Sequence, residues 1–242
     1  MTKMNMQIHV QMLEQVAVAL GPELCKQMTF VGGCATGLLL TDQVTKEQVR
    51  HTDDVDLIVH TLGYVGFNAL QNQLKAHGFK APMPNPSEPE PICALYLGDL
   101  RVDFMPDDER VLGFSNRWYQ AAMATATNYA LTPDVNIQLV TPVYFLATKL
   151  EAYKGRGNND VLSSRDIEDI LNIVDGREEL ISEVKSAEPD VQDYIAEELS
   201  TLLADTHLEN TVTSHTRGNA DRDDIIFERL EALALSPKEL QG

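Results

Sequence analysis

The pattern of apolar and polar positions over the first 140 residues predicts short strands interleaved with helices. Apolar residues recur at helical spacing over residues 6–20, and this segment stops at Gly21-Pro22. An apolar helix from Cys34 to about Leu40 and an amphipathic helix over 66–77 are predicted next. Short runs of β-favouring residues predict strands, and Gly98-Asp99 predicts a hairpin turn between two of them. The predicted strands are 28–31, 55–60, 92–97, 100–105 and 135–139.

From Thr141 onward the apolar period becomes helical. Thr141-Pro142 is typical of an N-cap followed by proline at the first helical position. The helices predicted in this half are 142–154, 163 or 164 to 174, 177–186, 189–204 and 222–235. The change in period predicts an α+β protein, with a mixed-sheet domain over residues 1–135 and an all-helical domain over residues 136–242.

Carboxylates at alternate positions open the second strand, in the segment Arg50-His-Thr-Asp-Asp-Val-Asp-Leu-Ile-Val59. Residues two apart on a strand project from the same face, so Asp54 and Asp56 point together while Val55 and Leu57 point to the other side. Two neighbouring carboxylates repel each other unless a cation lies between them, and ligation by oxygen alone suits Mg²⁺. Asp53 faces the opposite way and is interpreted as a turn or cap residue.

A third carboxylate, Asp103, interrupts the apolar run Leu100-Arg-Val-Asp-Phe-Met105. Nucleotidyl transfer relies on divalent ions to manage the phosphate charge, and such a site typically uses two carboxylates on one strand and one on a neighbour. The alternative is that the aspartates mark the exposed face of surface strands. Gly32-Gly33 at a strand-to-helix turn argues against that alternative, because backbone N–H groups there can cradle phosphate oxygens.

Composition and charge restrict the function classes. Hydrophobic content of 43% and charged content of 23% are ordinary for a soluble globular protein, and no apolar run is long enough to span a bilayer. The odd number of cysteines, three, and the absence of a signal-like N-terminus favour the cytoplasm. The net charge of −18 argues against a broad nucleic-acid or membrane interface. It does not exclude binding of a tRNA end or a nucleotide.

The whole pattern resembles the nucleotidyltransferase superfamily that includes DNA polymerase β. Gly32-Gly33, Arg50-x-Thr52-x-Asp54-x-Asp56 and the strand residue Asp103 carry the likeness, which covers roughly residues 28–175. More narrowly, the chain is similar to AbiEii/AbiGii-type nucleotidyltransferase toxins. The resemblance implies that the three aspartates bind Mg²⁺ and that Gly32, Gly33 and Thr52 contact the nucleotide. Gly33 departs from the wider superfamily, in which serine commonly follows the first glycine.

A cation from the helical half is expected to complete a triphosphate site, since a triphosphate carries about four negative charges. The resemblance implies that Lys149 binds the triphosphate and that Arg165 or Asp166, in Arg165-Asp-Ile-Glu-Asp169, arranges the site. Two structural alternatives stay open. Ser163-x-x-Asp166 matches a capping box, and Asp169 is placed to pair with Arg165 one turn away.

The function expected from these residues is Mg²⁺-dependent transfer of a nucleoside monophosphate from an NTP to an acceptor hydroxyl, with one or two metal ions. The resemblance implies a tRNA acceptor, an antitoxin partner and a role in toxin–antitoxin or phage-defence systems. A small molecule of the antibiotic type or a protein hydroxyl is the alternative acceptor. A non-catalytic nucleotide-binding module of the same fold is the alternative from another class.

Overall fold

The computed structural model describes residues 2–83, 90–156 and 160–235, and side chains within 5–83, 90–155 and 160–235. These residues divide into two compact units. The sheet unit comprises the chain up to Gly37 together with Val49–Thr141, and the helical unit comprises Leu38–Gln48 together with the chain from Pro142 onward.

The sheet unit contains a six-stranded sheet among its described residues, in the order β3-β4-β2-β1-β6-β5. Strands β1 and β2 are antiparallel, β2 and β4 are parallel, and β1 and β6 are parallel, so the sheet is mixed. The outer pairs β3–β4 and β5–β6 are antiparallel. The strands are β1 (Met28–Val31), β2 (Asp54–Val59), β3 (Ala94–Leu97), β4 (Leu100–Pro106), β5 (Thr127–Thr132) and β6 (Val135–Leu139).

Burial of the central strands anchors the sheet. All four residues of β1 are buried, and in β2 the apolar residues Val55 and Leu57 are fully buried while Asp54 and Asp56 are half-buried. This is the alternation predicted from the sequence. The sheet unit also contains α1 (Thr2–Cys25), the first part of α2 (Gly32–Leu39), α4 (Gly63–Ala76), α5 (Glu109–Leu112) and α6 (Tyr119–Ala124).

The helical unit is built around α8, whose residues are nearly all buried after its first turn. Segment Leu38–Gln48 belongs to this unit because the backbone N–H groups of Thr41 and Asp42 donate to the Gly176 carbonyl oxygen, at 2.8 and 2.9 Å. The helices wholly in this unit are α3 (Gln43–Gln48), α7 (Pro142–Arg156), α8 (Arg165–Gly176), α9 (Leu180–Lys185), α10 (Pro189–Leu203), α11 (Leu208–His215) and α12 (Ala220–Ala234).

The α+β class and the helical second half are confirmed. The first predicted helix stops being regular where expected, since Gly21 has φ 70° and ψ 165°, although one more turn extends α1 to Cys25. Elements α3, α5, α6, α11 and β5 were not predicted, because each is short or only partly buried and so carries a weak periodic signal. The domain boundary predicted at residue 135 stays a prediction.

Among the helices of the described segments, none is both long and apolar enough to cross a membrane.

Candidate active site

Strand register brings the three predicted metal ligands together in the sheet unit. Asp56 on β2 lies beside Asp103 on the parallel strand β4, and on its other side beside Val31 on β1. Asp54 lies two residues earlier on the same face as Asp56. One carboxylate oxygen from each of Asp54, Asp56 and Asp103 lies within 4.8 Å of the other two. We call these three residues the aspartate triad.

The triad concentrates negative charge in a partly buried place. Burial raises the pKa of the Asp103 carboxyl above its ordinary value, and hydrogen bonds from the Arg101 guanidinium oppose that rise. Nearby negative charge from Asp54 raises the same pKa further. Three carboxylates this close favour a bound cation, since a cation relieves their mutual repulsion.

The donor set of the triad fits a small divalent cation. Carboxylate oxygens are the ligands that Mg²⁺ prefers, at about 2.0–2.1 Å, so two oxygens on one ion are separated by at most about 4.2 Å. The triad's oxygens lie within 4.8 Å of each other, so only small side-chain adjustments would be needed to reach that range. Asp54, Asp56 and Asp103 are therefore the residues that would hold Mg²⁺.

The glycine pair at the start of α2 makes room for the triad. A Cβ atom on Gly32 would lie 1.9 Å from Oδ2 of Asp56, and Gly32 has a left-handed φ of 74°. A Cβ atom on Gly33 would lie 2.8 Å from Nη2 of Arg50. Glycine is therefore required at position 32 by its left-handed backbone and by Asp56, whereas at position 33 the flexible end of the Arg50 side chain would have to move. The contact with nucleotide phosphates that the sequence predicts for both glycines stays a prediction.

Replacing Gly32 by alanine is expected to displace Asp56 and to weaken divalent-metal binding by at least about tenfold, the equivalent of 1.4 kcal/mol. Gly98→Ala is the matched control, because Gly98 also has a left-handed φ, of 64°, but a Cβ atom there would meet nothing within 4 Å beyond its chain neighbours. The measurement is a Mn²⁺ titration of both folded variants. Equal affinity in the two variants would contradict the proposed role of the Gly32–Asp56 contact.

Thr52 orients one member of the triad. Its hydroxyl donates a short hydrogen bond to Oδ1 of Asp54, and its backbone N–H donates to Nε2 of His9 at 3.3 Å. His9 is buried and stacks on His51, with ring centroids 5.9 Å apart. Sequence reasoning missed His9, because one polar residue within the amphipathic α1 carries no signal of its long-range partner. The predicted contact of Thr52 with nucleotide stays a prediction.

Asp53 and Cys34 lie near the triad in sequence or space but do not belong to it. The Asp53 side chain is 93% exposed and contacts His51 Nε2 at 2.9 Å. Burial raises the pKa of the Cys34 thiol, and the charges of Asp56 and Asp54 raise it further. A thiol held in its neutral form is a poor nucleophile.

Two of the three residues predicted from the helical unit, Lys149 and Asp166, form a buried ion cluster with Asp169. Lys149 Nζ lies 2.6 Å from Oδ2 of Asp169 and 3.3 Å from Oδ1 of Asp166. The side chains of Lys149, Asp166 and Asp169 are 10%, 6% and 0% exposed. We call these three residues the lysine cluster. Arg165 is exposed at the first position of α8.

The cap predicted at Ser163 or Ser164 is confirmed at Ser164, whose side chain accepts from the Ile167 N–H at 3.4 Å. The capping box Ser163-x-x-Asp166 is wrong, because α8 begins one residue later than the capping box requires. The pairing of Asp169 with Arg165 is wrong as well. Ser163 instead donates to Asp160 at 2.5 Å. Asp169 contacts Lys149 on α7 in place of its expected partner Arg165, because position 169 faces the buried side of α8.

The comparisons with known proteins add little to this geometry. No protein-family model matches the sequence. No curated protein matches it. Among solved structures, an antigenic nucleotidyltransferase-like protein from Paracoccidioides brasiliensis is similar over 94% of each chain, with 16% identity and a TM-score of 0.43. The AbiEii-type resemblance stays a prediction.

Proposed function

We propose that the chain is a Mg²⁺-dependent nucleotidyltransferase whose metal ligands are Asp54, Asp56 and Asp103. The observation that carries the proposal is the convergence of these three carboxylates on two parallel strands, beside a glycine turn that opens a helix. Mg²⁺ bound there would supply charge neutralisation for an NTP and for the attacking oxygen.

Each part of the proposed site has a chemical task. Asp54 and Asp56 would hold the cation from one strand, and Asp103 would complete the ligand set from the next. In the transfer step the acceptor hydroxyl loses its proton to water and its oxygen bonds to the α-phosphorus, while the bond from the α-phosphorus to the bridging oxygen breaks and pyrophosphate leaves. N–H groups at the start of α2 are suited to phosphate oxygens, because the N-terminus of a helix favours anions.

Lys149, Arg165 and Asp166 remain proposed contributors from the helical unit. Lys149 would contact the triphosphate, with Arg165 or Asp166 arranging the site. Binding of a triphosphate by Lys149 would have to compete with Asp166 and Asp169, which already contact its ammonium group. Lys149 could bind the triphosphate or neutralise the buried acids. Its contacts with Asp166 and Asp169 directly support the second function.

The acceptor is the open part of the proposal. A tRNA end, with an antitoxin partner and a cytoplasmic role in defence, follows from the AbiEii-type resemblance. The net charge of −18 favours a small molecule or a protein hydroxyl, because a polyanionic acceptor would approach a strongly negative protein. A nucleotide-binding module without turnover is the alternative of a different class.

The test is pyrophosphate release from each of the four NTPs with Mg²⁺, in the presence of tRNA, protein extract or small-molecule acceptors. Mass spectrometry of the acceptors then identifies the one that gains a nucleoside monophosphate. Release that stops on EDTA addition and returns with Mg²⁺ supports the proposal. Tight NTP binding with no release in any mixture would favour the non-catalytic module.

A further inference from the structure

Arg101 forms a bidentate ion pair with one member of the aspartate triad. Its Nε lies 3.0 Å from Oδ1 of Asp103 and its Nη2 lies 2.9 Å from Oδ2. The two residues are two apart on β4, so they share the face of the sheet that carries the triad. Across the sheet, Arg101 lies beside Asp54 on β2.

This ion pair engages both oxygens of a proposed metal ligand. Carboxylate oxygens that accept two hydrogen bonds from a planar guanidinium have fewer lone-pair directions left for a cation. The positive charge of Arg101 also repels a cation approaching Asp54 and Asp56. The contact between Arg101 and Asp103 therefore competes with divalent-metal binding at the triad.

A second carboxylate is already in place to receive the arginine. Arg101 Nη1 lies 3.8 Å from Oε2 of Glu90, close enough for an ion pair but too long for a hydrogen bond. Glu90 is held by the hydroxyl of Tyr96, which lies 3.0 and 2.9 Å from its two oxygens. The Arg101 side chain is 34% exposed, which leaves it room to turn toward Glu90.

We propose that Arg101 is a positioning residue that holds Asp103 while the triad lacks metal and moves to Glu90 when a divalent cation binds. This inference rests on the proposed metal site. Arg101 then sets the affinity of the triad for its cation. Glu90, held by Tyr96, is the alternative partner that allows Arg101 to release Asp103.

The test is a Mn²⁺ titration followed by electron paramagnetic resonance on the full chain without nucleotide. Arg101→Gln is expected to lower the Kd for Mn²⁺ by about tenfold or more, because Asp103 is freed. Arg101→Lys keeps the charge but loses the planar fork, so its Kd is expected to lie closer to that of Arg101→Gln than to wild type. An unchanged Kd in Arg101→Lys beside a lowered Kd in Arg101→Gln would overturn the role of the bidentate contact.

The chain provides a matched control in Arg110→Gln. Arg110 makes the same bidentate pair with an aspartate two residues earlier, at 2.9 and 2.7 Å to Asp108, but Asp108 is outside the triad. This variant removes the same charge and the same type of ion pair. Its Kd for Mn²⁺ is expected to equal that of wild type, and a decrease matching Arg101→Gln would overturn the inference.

Glu90→Gln tests the second position of the arginine. This variant is expected to raise the Kd for Mn²⁺ severalfold in the wild-type background and to have little effect in the Arg101→Gln background. An equal rise in both backgrounds would overturn the exchange, because Glu90 would then act only as a nearby negative charge. If Asp54→Asn abolishes Mn²⁺ binding but Arg101→Gln leaves the Kd unchanged, the metal site stands and the inference about Arg101 is overturned. If the wild-type protein binds no Mn²⁺, the proposed metal site is overturned as well.

Discussion

Replacement of Asp56 by asparagine is expected to lower the rate of Mg²⁺-dependent nucleotidyl transfer by about a hundredfold to ten-thousandfold. A catalytic metal ion contributes several kcal/mol to transition-state stabilisation, and about 1.4 kcal/mol corresponds to a factor of ten in rate. Asp56 lies beside both Asp103 and the glycine turn, and asparagine keeps its shape while removing its charge. Pyrophosphate release under single-turnover conditions measures the effect.

Asp53→Asn is the control for this prediction. Asp53 is the sequence neighbour of Asp54, carries the same charge as Asp56 and is almost fully exposed outside the triad. Its replacement is expected to leave the transfer rate within about twofold of wild type. Equal losses in Asp53→Asn and Asp56→Asn would mean that general surface charge, and not a metal site at the triad, controls the reaction.

Replacement of Lys149 by methionine is expected to destabilise the protein by about 3–5 kcal/mol, the range for removing one partner from a buried ion pair. The change leaves Asp166 and Asp169 buried without the ammonium group that lies 3.3 and 2.6 Å from them. Urea denaturation of the variant, compared with wild type, measures the change in the free energy of unfolding.

The triple variant Lys149→Met, Asp166→Asn, Asp169→Asn separates the structural role of the lysine cluster from a catalytic one. Neutral side chains of similar size remove the buried charges, so most of the lost stability is expected to return. A Lys149→Met protein of wild-type stability with a large loss of activity would contradict the structural role. That result would favour the proposed contact of Lys149 with triphosphate.

The triad was predictable because its signals are local. The spacing of Asp54 and Asp56 on a strand with buried Val55 and Leu57 places both carboxylates on one face, whatever the rest of the fold. Asp103 was predictable for a related reason, since a charged residue inside an apolar run needs a specific environment. Its place beside Asp56 required the parallel pairing of β2 and β4, which the sequence pattern did not establish.

The parts that sequence could not predict depend on contacts between distant segments. Gly32 is needed because Asp56 approaches it across the β1–β2 pair, and His9 reaches Thr52 from a helix 43 residues away in sequence. The same holds for the contact between Lys149 and Asp169. Helical spacing alone would pair Asp169 with Arg165. Local spacing identifies residues that can meet, and the packing of α7 against α8 decides which of them do.

The most direct test of the central claim is the position of a divalent cation in crystals grown with Mn²⁺ and a non-hydrolysable NTP analogue. We expect an anomalous diffraction peak coordinated by oxygens of Asp54, Asp56 and Asp103, with the analogue's phosphates beside it. A peak elsewhere in the chain, or a well-ordered analogue with no cation at these three carboxylates, would contradict the claim.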